Sequence, residues 1–203
     1  GNPVPDGTVI SFVAEGGRIT PNCASSAGQC TVTLSTQNPR PLDNRVTVLA
    51  YVEGDKSFVD KNGDNVYTVD TDTLSSNIGD FFRDDNEDNL YSANLGEYLY
   101  KRGASGSTCA PSEIRQPNIV GTCDNKLDAV IRQQLLFAFA ENTPTFTNVN
   151  ASGSLLSFNM YGNSAQSVPM PTGTTISVTP EDNTKNNNLT CAAELATGSS
   201  PVA

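Results

Sequence analysis

Histidine and tryptophan are absent from this chain of 203 residues, and lysine and arginine together number 12 against 22 acids. Without histidine there is no Ser-His-Asp or Cys-His pair to activate a nucleophile, and no imidazole to complete a zinc site. Without tryptophan the commonest stacking platform for a sugar ring is gone, leaving Tyr and Phe. No Gly-x-Ser-x-Gly elbow occurs, and none of the five cysteines stands in a Cys-x-x-Cys pair. Nor does any stretch reach the roughly 18 to 20 consecutive apolar residues of a membrane span. The opening "GNPVPDGTV" has neither a basic start nor an apolar core, so no signal peptide is expected there. Paired carboxylates remain as acid and base candidates. Such pairs need unlike, partly apolar surroundings to separate their pKa values, and the acids here crowd into polar loops. A non-enzymatic role is the expectation. The net charge of −10 also argues against nucleic acid and anionic lipid as partners.

What the chain has in quantity is Thr, Ser, Asn, Gly and Val, the composition of short strands joined by polar turns, so an all-β fold is expected. "DGTVISFVAEGG" alternates Val9, Ser11 and Val13 against Ile10, Phe12 and Ala14 between two turn signals. "CTVTLST" from Cys30 and "RVTVLAYVE" from Arg45 repeat the pattern, which predicts three strands of one sheet system. "KLDAVIRQQLLFAFAEN" fits a helix by the spacing of Leu127, Val130, Ile131 and Leu135, and a buried strand by its "LLFAFA". A strand from about Arg132 to Glu141 is favoured, with room for a helical turn before it. "GSLLSFNMYGN", with Leu156, Phe158 and Met160 on one face, and "GTTISVTP" are the last strands expected. Cys23 with Cys30 would close a short loop and Cys109 with Cys123 a longer one, which points to disulfides in an oxidising, extracytoplasmic setting. Cys191 is left over, either as a free thiol or as a half whose partner lies outside this stretch. The sequons at Asn150 and Asn188 matter only in a glycosylating host.

Charge is concentrated. Residues 53–97 hold twelve acids against three bases, while the rest of the chain is nearly neutral. Inside that stretch "FVDKNGDNVY" and "FFRDDNEDNLY" spell one phrase twice: Asp60, Asn62, Asp64, Asn65 and Tyr67 register with Asp84, Asn86, Asp88, Asn89 and Tyr91. Such density repels itself unless a cation neutralises it. The alternative, a solvated disordered loop, has no reason to repeat its spacing or to flank it with aromatic residues. Calcium takes six to eight oxygens, and side-chain oxygens at positions 1, 3 and 5 with a backbone carbonyl at 7 supply most of them. Asp60, Asn62, Asp64 and the Val66 carbonyl meet that rule, as do Asp84, Asn86, Asp88 and the Leu90 carbonyl. Position 6, where the loop turns sharply, is Asn65 or Asn89, a residue tolerant of left-handed geometry. Thr71 and Leu95 stand where an EF-hand carries its closing Glu, so that ligand is expected from Asp80 and Glu97, with Asp70 or Asp72 behind them. Two calcium ions are therefore predicted, in loops flanked by strands or turns, with Phe58, Tyr67, Phe82 and Tyr91 packed beneath. The Asp60 loop is expected to be the stronger because Gly63 relieves crowding.

A second repeat spans the chain. "VPMPTGTTISVTPED" from Val168 repeats "NPVPDGTVISFVAEG" from Asn2, with Pro171, Gly173, Thr174, Ile176 and Ser177 against Pro5, Gly7, Thr8, Ile10 and Ser11. A period of about 160 to 170 residues, running just into a next unit, accounts for it and for the odd cysteine. "GNPVPDGTVISFVAEGGRIT", "GQCTVTLST" and "DNRVTVLAYVEG" resemble the bacterial immunoglobulin-like repeats of invasin and intimin type, and "SFNMYGNSAQSVPMPTGTTISV" resembles the opening of a next repeat. The acidic phrase, with Gly79-Asp80 and Gly96-Glu97, resembles calcium loops of large surface proteins. The resemblance covers residues 1–53 and about 131–203. It implies an immunoglobulin-like β-sandwich whose first strands lie in 1–53 and closing strands in 126–162, with a long, loop-rich acidic insertion in 54–125. Residues 163–203 would then start a next repeat or donate a strand. An extracellular or bacterial cell-surface location and a stalk or adhesive role are implied too. The partners would be neighbouring copies or repeats, joined by peptide bonds or by strand addition, and a host-surface or matrix ligand. A calcium-dependent glycan- or receptor-binding module is the alternative, since a fold by itself does not fix function.

Overall fold

The computed structural model describes residues 3–103, 109, 116–153 and 155–177. Among them the chain forms β1 (Val9–Ala14), β2 (Arg18–Ile19), β3 (Asn22–Ala24), β4 (Leu34–Ser35), β5 (Arg45–Asp55), β6 (Phe58–Val59), β7 (Thr73–Leu74), β8 (Phe81–Phe82), β9 (Leu99–Tyr100), β10 (Asp128–Ala138), β11 (Thr145–Ser152) and β12 (Leu155–Tyr161). A short 3-10 turn at Ala93–Leu95 precedes β9. The architecture is all-β and antiparallel. One sheet has four strands in the order β10-β5-β1-β3, and the pairs β2-β4, β6-β7, β8-β9 and β11-β12 form small two-stranded sheets.

β5 organises the main sheet because its "VTVLAYV" run is β-branched and apolar on both faces, as a strand covered on both sides requires. Val46, Thr47 and Leu49 are fully buried. β10 pairs with it along its whole length, from Asp128 opposite Asp55 to Ala138 opposite Arg45. Successive side chains point to opposite faces. On one face Leu49 and Val130 pack with Phe81, Tyr51 and Tyr100. On the other, Val46, Val48 and Phe139 pack with Phe12, Ala14, Ile19 and Leu34. Phe81 and Tyr100 come from the acidic excursion that leaves after Asp55 and returns at Asp128, so the excursion covers one face of the sheet it interrupts. Lys56 locks its base: the buried Nζ donates to Asp124 Oδ1 at 2.7 Å and to the Asp124 carbonyl at 2.9 Å. Burial pushes the Asp124 pKa up, but the Lys56 hydrogen bond and the Lys126 N–H outweigh it and hold the carboxyl below its ordinary value.

Arg132 occupies the interior of this junction, 1% exposed, with no carboxylate in ion-pair range among the described residues. Its guanidinium donates to the Pro117 carbonyl at 2.9 and 3.1 Å, to Asn118 Oδ1 at 3.0 Å and to the Val130 carbonyl at 3.2 Å. It also lies 5.0 Å from the Phe81 ring centroid, a cation–π distance. Burial, then the Arg102 charge, bring its pKa down to about 10, with Asp80 working the other way. Beside it, a Cβ on Gly79 would sit 2.4 Å from the Thr122 carbonyl oxygen. Gly79→Ala is therefore expected to cost about 1–3 kcal/mol by forced backbone movement, read as a lower urea midpoint at unchanged slope.

Several expectations are corrected. "CTVTLST" yields only Leu34–Ser35, which pairs with Arg18–Ile19 outside the main sheet. The Cys23–Cys30 disulfide doubles the chain back beside β3 before a longer strand can form. The strand expected from Arg132 starts at Asp128, with no helical turn, because eleven consecutive rungs to β5 override the local helical spacing. β11 is unanticipated: "TFTNVNAS" hides its alternation behind a register shift between Thr147 and Asn150, with Asn148 at φ 51°. "GTTISVTP" forms no strand over residues 173–177, and its remainder lies outside the described residues.

Candidate metal centre

The two acidic phrases fold into the same loop twice, each seated between two-residue strands. β6 pairs with β7 around the first and β8 with β9 around the second. In the first, Asp60 Oδ1 and Oδ2 accept the N–H groups of Gly63 and Asn65, both at 2.7 Å. Asn62 Oδ1 accepts the Asp64 N–H at 3.2 Å, and Asp64 Oδ1 accepts the Val66 N–H at 2.8 Å. In the second, Asp84 Oδ2 accepts the Asn89 N–H at 2.9 Å, Asn86 Oδ1 the Asp88 N–H at 3.3 Å, and Asp88 Oδ1 the Leu90 N–H at 2.7 Å. Asn62 and Asn86 donate through Nδ2 to Asp64 and Asp88, each at 2.9 Å. Position 6 is left-handed in both, Asn65 at φ 61° and Asn89 at φ 60°, as the sequence required. Position 4 is left-handed as well: Gly63 fills it without strain at φ 78°, whereas Glu87 holds it at φ 55° while ion-paired to Arg45 at 2.7 Å. The aromatic pairs Phe58 with Tyr67 and Phe82 with Tyr91 stand 5.4 and 5.8 Å apart between ring centroids.

The equivalence extends to a closing acid. Asp72 accepts the Lys61 N–H at 3.0 Å and the Thr68 N–H at 2.7 Å. Glu97 accepts the corresponding N–H groups of Asp85 at 3.2 Å and Ser92 at 2.6 Å. Asp72, held in reserve by the sequence reading, thus takes in the first loop the role of Glu97 in the second. Asp80 takes part in neither: its Oδ1 accepts the Arg102 N–H at 2.7 Å and its N–H goes to Thr122 Oγ1 at 2.8 Å. Asp70 stays exposed at φ 71°. A shared spacing was the available signal, since Asp72 and Glu97 follow Asp60 and Asp84 by nearly the same interval.

The two loops differ in burial. Asp60 is half-buried, and the Asn65 N–H is the first cause of its pKa lying below the ordinary value. Asp84 and Glu97 are 2% and 5% exposed, and burial raises both. The donor set is all oxygen, from carboxylates, amides and backbone, which suits a hard cation such as calcium. Each hydrogen-bonded carboxylate oxygen keeps a second lone pair. Among the described residues, no three His, Cys, Asp or Glu side chains converge closely enough to hold a metal ion as they stand. The cysteines expected to bond do so, Cys23 with Cys30 and Cys109 with Cys123, while Cys191 lies outside the described residues.

The acidic neighbourhood reaches half-buried Glu15, whose Oε2 accepts the Thr47 N–H at 3.1 Å. Burial, with the charges of Asp85 and Asp43, raises its pKa from 4.5 to about 7. A carboxyl with a raised folded pKa contributes stability that is complete below its unfolded value and lost as pH rises through the folded one. Glu15→Gln is expected to flatten the decline of Tm between about pH 5 and 8, as melting across that range will read. Comparison with protein-family models, with curated proteins and with solved structures found no match.

Proposed function

We propose that this chain is a non-enzymatic extracellular unit of immunoglobulin-like, invasin and intimin type, a bacterial surface stalk or adhesive module made rigid by two calcium ions. One observation carries the reading: two loops with the same hydrogen bonds, left-handed positions and aromatic footing, each closed by an acid, Asp72 or Glu97. Asp60, Asn62, Asp64 and Asp72 would hold one ion and Asp84, Asn86, Asp88 and Glu97 the other, with the Val66 and Leu90 carbonyls. The bound ion supplies positive charge where the chain concentrates its acids. Between β5 and β10 the excursion packs directly on the sheet, so ordering the loops stiffens the whole unit. Tandem or strand-paired copies then form an array. The test is thermal unfolding in calcium and in chelator.

The glycan-binding alternative has its own support. A cavity of about 370 Å³ is lined by Tyr51, Phe81 and Tyr100 with Glu53, Lys101 and Arg102 at its polar side. Phe81 is 1% exposed and stacked on Tyr100 at 4.7 Å, so Tyr51 and Tyr100 supply the accessible ring surface. Aromatic walls with a few polar groups suit a small sugar, and a glycan array probed with and without calcium separates this reading from a purely structural one.

A further inference from the structure

The β11-β12 hairpin is an arm. Its base is anchored: Asn163, fully buried, donates to the Asp43 carbonyl at 2.9 Å, and Ser167 Oγ donates to the same carbonyl at 2.6 Å. Beyond the base, its strands touch no other strand of the described residues. Even so, the arm carries Phe146 at 50%, Val149 at 62%, Leu155 at 64% and Leu156 at 48% exposure. A two-stranded hairpin alone in water is marginal and needs a further strand or an apolar surface to hold it.

Charge permits a second copy as the partner. From Gln133 to Pro180 the sequence contains one ionisable charge, Glu141, in a chain whose net charge is −10. Two copies repel each other over their acidic excursions but not over this stretch. The same neutral stretch includes the end of β10, which is the outermost strand of the main sheet. Lys56 N–H to Leu127 O and Phe139 N–H to Asn44 O turn the odd-numbered peptides toward β5, so Leu136 and Ala138 turn theirs to the open edge. Leu135 and Phe137, 52% and 38% exposed, flank them. An open edge without Pro or Lys is a template for strand addition.

We propose that the β11-β12 arm docks on a second copy of this chain, laying Phe146 and Leu156, which share one face of the hairpin, against the open edge of that copy's β10 at Leu135 and Phe137. The inference rests on the structural-unit reading only in taking copies as partners. Calcium-dependent melting tests the loops and oligomeric state tests the arm, so the two fail separately.

The experiment is sedimentation and light scattering of the full chain up to about 100 µM, with wild type, Leu156→Asp and Leu135→Asp compared. Wild type should associate with rising concentration, and both variants should weaken association by about 100-fold while keeping the wild-type circular dichroism. A wild type that stays monomeric overturns the inference, as does association that survives the arm substitution. Loss in the arm variant alone, with Leu135→Asp unaffected, would set arm against arm and overturn the β10 docking. A mixture of Leu156→Cys and Leu135→Cys copies, each in a Cys191→Ser background, needs no unfolding control: a mixed disulfide dimer is expected, and its absence counts against the contact.

Discussion

Arg132→Met is expected to lower the unfolding free energy by about 3 kcal/mol and Tm by roughly 6–12 °C. Removing a buried cation usually relieves a desolvation cost, and an apolar substitute of similar volume is often neutral or stabilising. Here the cation is the donor for a set of neutral acceptors. Without it, the Pro117 and Val130 carbonyls stay buried around an apolar side chain, each costing about 1–3 kcal/mol if unsatisfied, while Asn118 Oδ1 keeps the Gly79 N–H at 2.8 Å. Methionine also loses the contact with Phe81, which ties the excursion to Leu49 and Val130. Urea unfolding decides between the two effects. A stabilised Arg132→Met would mean that the charge cost dominates and the acceptors find other donors.

Calcium at about 100 times its dissociation constant is expected to stabilise the chain by about 2.7 kcal/mol per site, hence about 5 kcal/mol for two, and to raise Tm by roughly 10–20 °C over chelator. Removing one closing carboxylate, by Asp72→Asn or Glu97→Gln, should abolish about half of that gain. Burial sets the order between them. The closing acids Asp72 and Glu97 are both buried, at 8% and 5% exposure, but Asp84 at 2% is enclosed where Asp60 is only half-buried, so an ion in the second loop acts in a medium that screens it less. Glu97→Gln should accordingly show the larger loss, the reverse of what Gly63 suggested from sequence. Identical melting in calcium and in chelator would remove the ions from the account. Calorimetric titration of both variants gives the number of sites directly.

The sequence was most legible where chemistry is local. Asn65 and Asn89 were placed in left-handed geometry from their identity and position alone, because few residues other than glycine accept it. β1 and β5 were legible from alternation, and the expectation that both loops are flanked by strands or turns is met by short strand pairs. What failed depended on distant partners. "CTVTLST" alternates as well as β1 does, yet a short disulfide loop turns it toward β2, outside the main sheet, and leaves it two residues of ladder. Val130, Ile131 and Leu135 keep helical spacing inside a strand because β5 offers eleven rungs and a helix there would offer none. Asp80 reads like a loop ligand by its Gly-acid neighbour, but Gly79 is small in order to approach Thr122, and that approach carries Asp80 toward Arg102. From sequence, Arg132 is only the approximate start of a strand, with nothing local to mark it as buried. Its interior position follows only once loop 117–118 is seen to supply carbonyls.

The excursion begins and ends on one rung, Asp55 facing Asp128, with Lys56 clasping Asp124 just inside it. A pull along the chain from β1 toward the arm therefore crosses from β5 to β10 through their ladder, and none of it passes through the acidic loops while those rungs hold. The tether shields its own cargo: under load the ladder must unzip from the Arg45–Ala138 rung to the Asp55–Asp128 rung before the loops feel any tension at all.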